Sequence, residues 1–217
     1  MTGDQAPNAN PPGDAVLTVR ALECRRGNRV LFAPISFDVV AGSIVWIRGA
    51  NGQGKTTLLR TLAGLSRPES GRIMGGELQS VRTLYLAHAN ALKEELSALE
   101  SLRFLRQLDG GPTDSVELGA ALARVGMASR RDAPVRTLSQ GQRRRVALAR
   151  LALPGSALVW LLDEPFDALD AGGVEILNDL LVEHAGRGGG VILTSHLALT
   201  ISMPRPETVS LDALVPA

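Results

Sequence analysis

Gly49-Ala50-Asn51-Gly52-Gln53-Gly54-Lys55-Thr56 matches the G-x-x-x-x-G-K-[ST] pattern at every fixed position. With 23 glycines but only two lysines in 217 residues, chance gives this pattern in roughly a few of every thousand such chains. One of those two lysines stands where the pattern needs it. Ser43-Ile44-Val45-Trp46-Ile47-Arg48 before the loop reads as a short buried strand. Thr56-Thr57-Leu58-Leu59-Arg60-Thr61-Leu62-Ala63 after it reads as a helix ended by Gly64. Glycines let successive N–H groups point at phosphate oxygens, and the helix start adds the positive end of its dipole. In such a loop Lys55 reaches the β- and γ-phosphates, and the Thr56 hydroxyl is placed to bind Mg²⁺.

Composition bounds the rest. Aromatic residues make up 3% of the chain, so the core is built from Leu, Val, Ile and Ala. The net charge is +1, which gives no basic surface for nucleic acid and no polybasic membrane anchor. Arg outnumbers Lys 21 to 2, a bias of composition rather than a site. The single Cys24 forbids an internal disulfide, fits a reducing compartment and reads as a small strand residue. The longest apolar run, Ala157 to Leu162, is far too short to span a membrane. Residues 1–14 hold Asp4, Pro7, Pro11 and Pro12 without an apolar stretch, and read as a disordered tail rather than a secretory signal. Any membrane span is expected from other chains.

Strands are expected at Val16–Cys24, Ile35–Val39, Ile44–Arg48, around Arg72-Ile73-Met74, and at Thr83–Ala87, Ala157–Leu162 and Val191–Thr194. From Ser97 to Leu153 the period turns helical. Leu99, Leu102, Leu105 and Leu108 form a stripe, and Ser97/Glu100 and Asp114/Glu117 have capping-box spacing. A further helix is expected at Gly173–His184. The organisation is an α/β chain over 15–217 interrupted by a helical insert at about 91–153. Trp46 and Trp160, both in apolar strands, are expected in the core.

Four more stretches carry chemistry. Leu138-Ser139-Gln140-Gly141-Gln142 precedes a helix, and Ser139/Gln142 again have capping-box spacing. That makes a second phosphate-binding helix start. One nucleotide rarely needs two in one domain, whereas two copies arranged head-to-tail use both. Ala157-Leu158-Val159-Trp160-Leu161-Leu162-Asp163-Glu164 is an apolar strand ending in two acids. Asp163 is placed to hold Mg²⁺ or its waters, and Glu164 to polarise a water for attack on a γ-phosphate. Ala168-Leu169-Asp170 follows, and Thr194-Ser195-His196 closes a later strand with an imidazole within reach of the γ-phosphate. Arg143-Arg144-Arg145 spans most of a helix circumference and reads as a solvated or phosphate-near face.

These stretches, in this order and spacing, resemble the ATP-binding cassette (ABC) ATPases over residues 15 to 211. The resemblance implies a RecA-like phosphate-loop NTPase domain with an antiparallel β subdomain and an inserted α-helical subdomain. It implies a sandwich dimer in which each ATP lies between Gly49–Thr57 of one subunit and Ser139-Gln140-Gly141-Gln142 of the other. It further implies Glu164 as catalytic base, Thr56 and Asp163 on Mg²⁺, Lys55 and His196 on the phosphates and Asp170 across the interface.

Two departures from the common family pattern are visible. His88 stands where most members carry a Gln that touches Mg²⁺ and the membrane partner. Imidazole is a poor Mg²⁺ ligand beside oxygen donors, so His88 reads as a coupling residue. No aromatic is available to stack on adenine; Arg25 or Arg26 either takes that place through its guanidinium plane or stays solvated. Leu84-Tyr85-Leu86-Ala87-His88, Leu92-Lys93, Leu96–Phe104 and the run LSQGQRRRVALARLAL resemble one branch, the ATP-binding subunits of the cytochrome c-type biogenesis haem exporters. In that branch Pro-Gly usually stands where Asn90-Ala91 does, and Gln-Pro where Leu197-Ala198 does.

The branch implies an ATPase at the cytoplasmic face of the cell membrane, with integral membrane subunits in separate chains. Haem would be handled by those partners, since three His, one Cys and no C-x-x-C-H leave nothing here to hold it. Other readings are an ABC ATPase for another exported substrate, or a non-transport ABC ATPase acting on ribosomes or DNA. The latter usually carries two cassettes or basic extensions, and co-purification with membrane subunits rather than ribosomes or nucleic acid separates the two. A phosphate-loop kinase is excluded by LSQGQ.

Overall fold

A computed structural model describes residues 15–75, 82–155, 157–201 and 203–211. The proposed tail at 1–14 lies outside these residues. The chain opens with β1 (Ala15–Glu23), a two-residue hairpin of β2 (Arg25–Arg26) and β3 (Arg29–Val30), then β4 (Ile35–Val40) and β5 (Ile44–Arg48). The glycine loop leads into α1 (Lys55–Leu62), followed by β6 (Ser70–Gly75) and β7 (Thr83–Leu86). Helices α2 (Ala98–Leu108), α3 (Ser115–Arg124) and α4 (Gln140–Leu148) come next, the last continued by a 3₁₀ turn at Ala149–Ala152. The chain then makes β8 (Val159–Leu162), α5 (Ala171–Gly186), β9 (Gly190–Thr194) and β10 (Glu207–Ser210).

Five strands form a parallel sheet in the order β10-β5-β9-β8-β7, and β4-β1-β6 form an antiparallel one. The central strands β5, β9 and β8 of the parallel sheet are buried on both faces, and their period-two alternation divides the core. Val159, Leu161, Ile192, Val45 and Ile47 pack with α1 and the antiparallel sheet. Trp160, Leu162, Val191, Leu193 and Ile44 pack with α2–α5. That second cluster runs without a break from the insert into the sheet through Leu102, Leu122, Val146 and Leu151. Each such side chain contributes about 1.5–3 kcal/mol by leaving water, which fixes the insert to the sheet face.

Ser97 caps α2 in a full capping box with Glu100, and Ser139 caps α4 with Gln142 in the same way. Asp114 caps α3 through Val116 and Glu117 N–H, without the reciprocal half of the box. The leucine stripe holds only in part: Leu99, Leu102 and Leu105 are buried, whereas Leu108 is 69% exposed. Each i→i+3 step falls about 60° short of a full turn, so three steps carry the stripe to the opposite face. Trp160 is buried, but Trp46 is only half-buried: the Arg48 guanidinium lies 4.7 Å over its ring, and its Nε1–H donates to Ser195 O. Cys24 is buried between β1 and β2, its thiol near the Thr61 hydroxyl, and burial raises its pKa. Two elements were absent from the sequence reading, the β2–β3 hairpin and the edge strand β10.

Candidate functional site

The carboxyl ends of β5, β8 and β9 meet at one end of the parallel sheet, where α/β folds bind ligands. The loop after β5 brings Gly54 to the start of α1 with φ 101°, a left-handed conformation that favours glycine. A Cβ there would lie 2.9 Å from the Leu31 side chain, so any side chain at this position is both strained and blocked. Gln53 closes the loop on itself, its Oε1 accepting from Ala50 N–H. The Lys55 ammonium donates to Gly49 O at 2.7 Å.

Strand β9 lies between β5 and β8, and its last residue joins their ends. The Thr194 hydroxyl donates to Asp163 Oδ1 at 3.0 Å and accepts from Glu164 N–H at 2.9 Å. Asp163 Oδ2 accepts from the Thr56 hydroxyl at 2.8 Å. Hydroxyl and carboxylate are hard oxygen donors side by side, the kind of set Mg²⁺ prefers.

Glu164 is 7% exposed and has φ 47°, a strained conformation for a residue with a side chain. Its Oε2 accepts from His196 N–H at 3.0 Å. The His196 imidazole Nε2 lies 3.1 Å from Oε1, yet Oε1 is a buried oxygen with no aligned hydrogen-bond donor among the described residues. Burial pushes the Glu164 pKa up, opposed by the His196 N–H and by the positive field of His196 and Lys55. A largely buried carboxylate at the lining of the cavity, its pKa raised by burial, is suited to accept a proton from water.

A cavity of about 330 Å³ opens over these groups, lined among others by Lys55, Thr56, Asp163, Glu164, His196 and His88. The loop residues Ala50, Asn51, Gly52, Gly54 and Thr57 also line it, as do Arg26 and Leu31. Arg25 instead pairs with Glu69 at 3.3 Å, so of the two candidate arginines Arg26 is the one at the cleft. The mostly exposed His88 ring has Nδ1 at 3.4 Å from Asp167 Oδ2.

Ser139, Gln140, Gly141 and Gln142 do not line this cavity. A Cβ on Gly141 would meet the Ala168 carbonyl at 2.7 Å, so the second helix start packs backbone to backbone on the loop before α5. Asp170 caps α5 through Gly173 N–H and pairs with Arg145, which holds its carboxyl below the usual carboxylate range.

The arginine triplet is not a solvated face. Arg144 is 2% exposed, and its guanidinium donates to Ala87 O, Asp163 O, Glu164 O and Pro165 O among others. Arg145 reaches Val125 O and Asp170, and Arg143 reaches Leu138 O and Glu94. The signal was present in the sequence: Arg144 shares one helix face with the apolar Ala147, Leu148 and Leu151, at i+3, i+4 and i+7. Thr194, the bridge between the strand ends, was visible only as the residue before Ser195-His196.

Fold and cleft together define a phosphate-loop nucleotide-binding domain. The sequence profile of the ABC transporter family matches residues 32–167. The cytochrome c biogenesis ATP-binding export protein CcmA of Methylococcus capsulatus is 45% identical over 196 residues, 87% of this chain and 94% of that protein. The protein of the same name from Escherichia coli K12 is 45% identical over 204 residues, 90% of this chain and 96% of its own length. A solved ABC transporter ATP-binding protein from Pyrococcus furiosus superposes with a TM-score of 0.79 at 25% identity, covering 92% of this chain and 99% of that one. The chain belongs to the ABC transporter ATPases and, within them, to the family of the cytochrome c biogenesis ATP-binding export proteins.

Proposed function

We propose that the chain is the ATP-hydrolysing subunit of an ABC export complex serving cytochrome c biogenesis, with haem handled by partner subunits. The observation that carries the ATPase chemistry is the connected set Thr56–Asp163–Thr194–Glu164, ending in the Glu164 carboxylate at the edge of the cavity beside His196. The close relatives named for cytochrome c biogenesis export support the process.

In this reading Gly49–Thr57 wraps the phosphates with backbone N–H groups, and Lys55 turns from Gly49 O to the β- and γ-phosphates. Thr56 and Asp163 would hold Mg²⁺, whose charge offsets that of the β- and γ-phosphate oxygens. A water beside the Glu164 carboxylate attacks the γ-phosphorus. Its proton passes to the Glu164 carboxylate, the bond from the γ-phosphorus to the β-phosphate oxygen breaks, and ADP and phosphate leave. His196, whose N–H already holds Glu164 Oε2, donates to the γ-phosphate. Arg26, which lines the cavity, stacks on the adenine through its guanidinium plane.

Ser139, Gln140 and Gly141 cover the nucleotide of a second copy, and Gln142 supports Ser139 from within its own capping box. Asp170 lies at that dimer interface. The stretch after His88 faces membrane subunits in separate chains, and the ATPase sits peripherally at the cytoplasmic face of the membrane. Among the described residues no helix is long and apolar enough to cross a membrane.

The test is Mg-ATP hydrolysis by wild type and Glu164→Gln, with light scattering. General-base loss lowers turnover by about 10²–10⁴-fold while nucleotide still binds. ATP then shifts Glu164→Gln from monomer to dimer, and Ser139→Arg blocks the shift. Near-normal turnover in Glu164→Gln refutes the base. An unchanged mass with ATP, membrane subunits present, refutes the sandwich. Capture of ribosomes or nucleic acid in place of membrane proteins refutes the export reading.

A further inference from the structure

Arg144 carries a positive charge almost out of reach of water, without an ion pair among the described residues. Its Nη2 donates to Glu164 O at 2.7 Å and Asp163 O at 3.1 Å, and its Nε to Pro165 O at 3.2 Å. Its Nη1 donates to Ala87 O at 3.0 Å, His88 O at 3.3 Å and Asn90 Oδ1 at 3.1 Å. All six acceptors are neutral oxygens. Burial lowers the Arg144 pKa, opposed by the more distant fields of Asp167, Asp163 and Glu164. A buried cation is costly and is normally paired, so this arrangement calls for a reason beyond filling space.

The acceptors supply one. Three are the carbonyls at the end of β8, centred on Glu164, whose left-handed backbone is strained. The Glu164 carbonyl, turned by that conformation, meets the shortest of the six hydrogen bonds. The other three belong to the stretch after β7, between the sheet and the insert, and α4 itself is capped by Ser139. One planar guanidinium thus ties together the second helix start, the acidic strand end and the His88 stretch. Five N–H groups in a rigid fork suit this, and the single ammonium of lysine does not.

We infer that Arg144 is a positioning residue: it locks the Glu164 backbone in the conformation that sets the Glu164 carboxylate at the cavity, and it makes that lock depend on residues 87–90. Asn90 supplies the one side-chain acceptor among the six, at 3.1 Å. The inference rests on Glu164 being the base.

The experiment measures kcat and KM for Mg-ATP on the full chain, with thermal melting and binding of a fluorescent ATP analogue as controls. Displacing a catalytic group by about 1 Å can cost 10²-fold, so Arg144→Gln and Arg144→Lys each lose about tenfold or more in kcat, with KM within about twofold. Asn90→Ala, which removes one acceptor at the edge of the network, loses a few-fold in kcat alone. In a Glu164→Gln background Arg144→Gln causes no further loss, because it acts through a group already removed. A folded Arg144→Gln with wild-type kcat overturns the inference, as do losses that multiply in the double variant. If neither Arg144 variant shows a cooperative melt, Asn90→Ala decides alone, and an unchanged kcat overturns it. Near-normal turnover in Glu164→Gln refutes the base itself. A crippled Glu164→Gln beside a normal Arg144→Gln refutes only the positioning role.

Discussion

His184 near the end of α5 stacks on Trp160 of β8, ring centroids 3.9 Å apart and planes within 6°. The imidazole is buried, and its Nε2 has no hydrogen-bond partner among the described residues. Burial, with the charge of Arg187 acting in the same direction, holds its pKa down to about 4. An imidazolium on indole gains about 0.5–2 kcal/mol of cation–π attraction, less than the several kcal/mol lost by desolvating a cation, so the neutral form wins. The unfolded chain binds its proton near pH 6.5 and the folded chain near 4. Folding stability is therefore intact above the first value and drains away as pH falls toward the second. For one site with these two values the loss between pH 8 and pH 5 is about 2 kcal/mol, approaching about 3 kcal/mol below pH 4.

Other groups titrate over the same range, so the observable is a difference of differences between wild type and His184→Gln, which has similar bulk and no titration. With m of about 2–3 kcal/mol/M, the wild-type urea midpoint falls roughly 0.7–1 M further than the variant's between pH 8 and pH 5. Loss of the stack lowers the variant at both pH values and cancels. Parallel falls refute the reasoning. A wild type that gains on the variant at pH 5 shows that cation–π attraction outweighs desolvation.

Three further outcomes are expected. Because burial raises the Glu164 pKa and only the carboxylate accepts a proton, the acid limb of kcat/KM falls at a pH above the ordinary carboxylate value of about 4.3. A limb at or below that value counts against Glu164. His88→Ala leaves basal hydrolysis by the isolated subunit within a small factor and impairs cytochrome c maturation in a complementation assay; loss of basal activity in a folded variant places His88 in the catalytic set instead. Ala91→Gly raises the urea midpoint by the equivalent of about 0.5–1 kcal/mol, because φ 54° at Ala91 costs a side chain roughly 1–2 kcal/mol and the greater freedom of unfolded glycine returns only part of it. A lowered midpoint refutes the strain at that turn.

The parallel core and the glycine loop were legible because their signals are local: buried, mostly apolar strands of four to five residues ending at Arg48, Leu162 and Thr194, with fixed loop spacing. The capping boxes at Ser97 and Ser139 were legible for the same reason. Strand β10 was not, since Glu207-Thr208-Val209-Ser210 has little apolar pattern and becomes a strand only by pairing with β5, far back in the chain. The two residues of β2 and of β3 are too few for any period. Arg144 was hidden by its own composition: three like residues in a row mask the helical phase that sends one of them inward. Which of Arg25 and Arg26 turns to the cleft depends on Glu69, a partner no local pattern announces.

The sheet order has a geometric corollary. The glycine loop follows β5 and the acidic pair follows β8, and these strands never touch; β9 runs between them with all five residues buried. Two interstrand spacings, about 9.5 Å, therefore separate the backbone of the strand that leads into the glycine loop from that of the strand that leads into the acidic pair, and Thr56 and Asp163 reach across that gap. That gauge is set by backbone hydrogen bonds rather than by any side chain at the cleft, so it can change only in whole-strand steps. Drift in the lining residues can alter what the cleft prefers, but not the spacing of the strands beneath it.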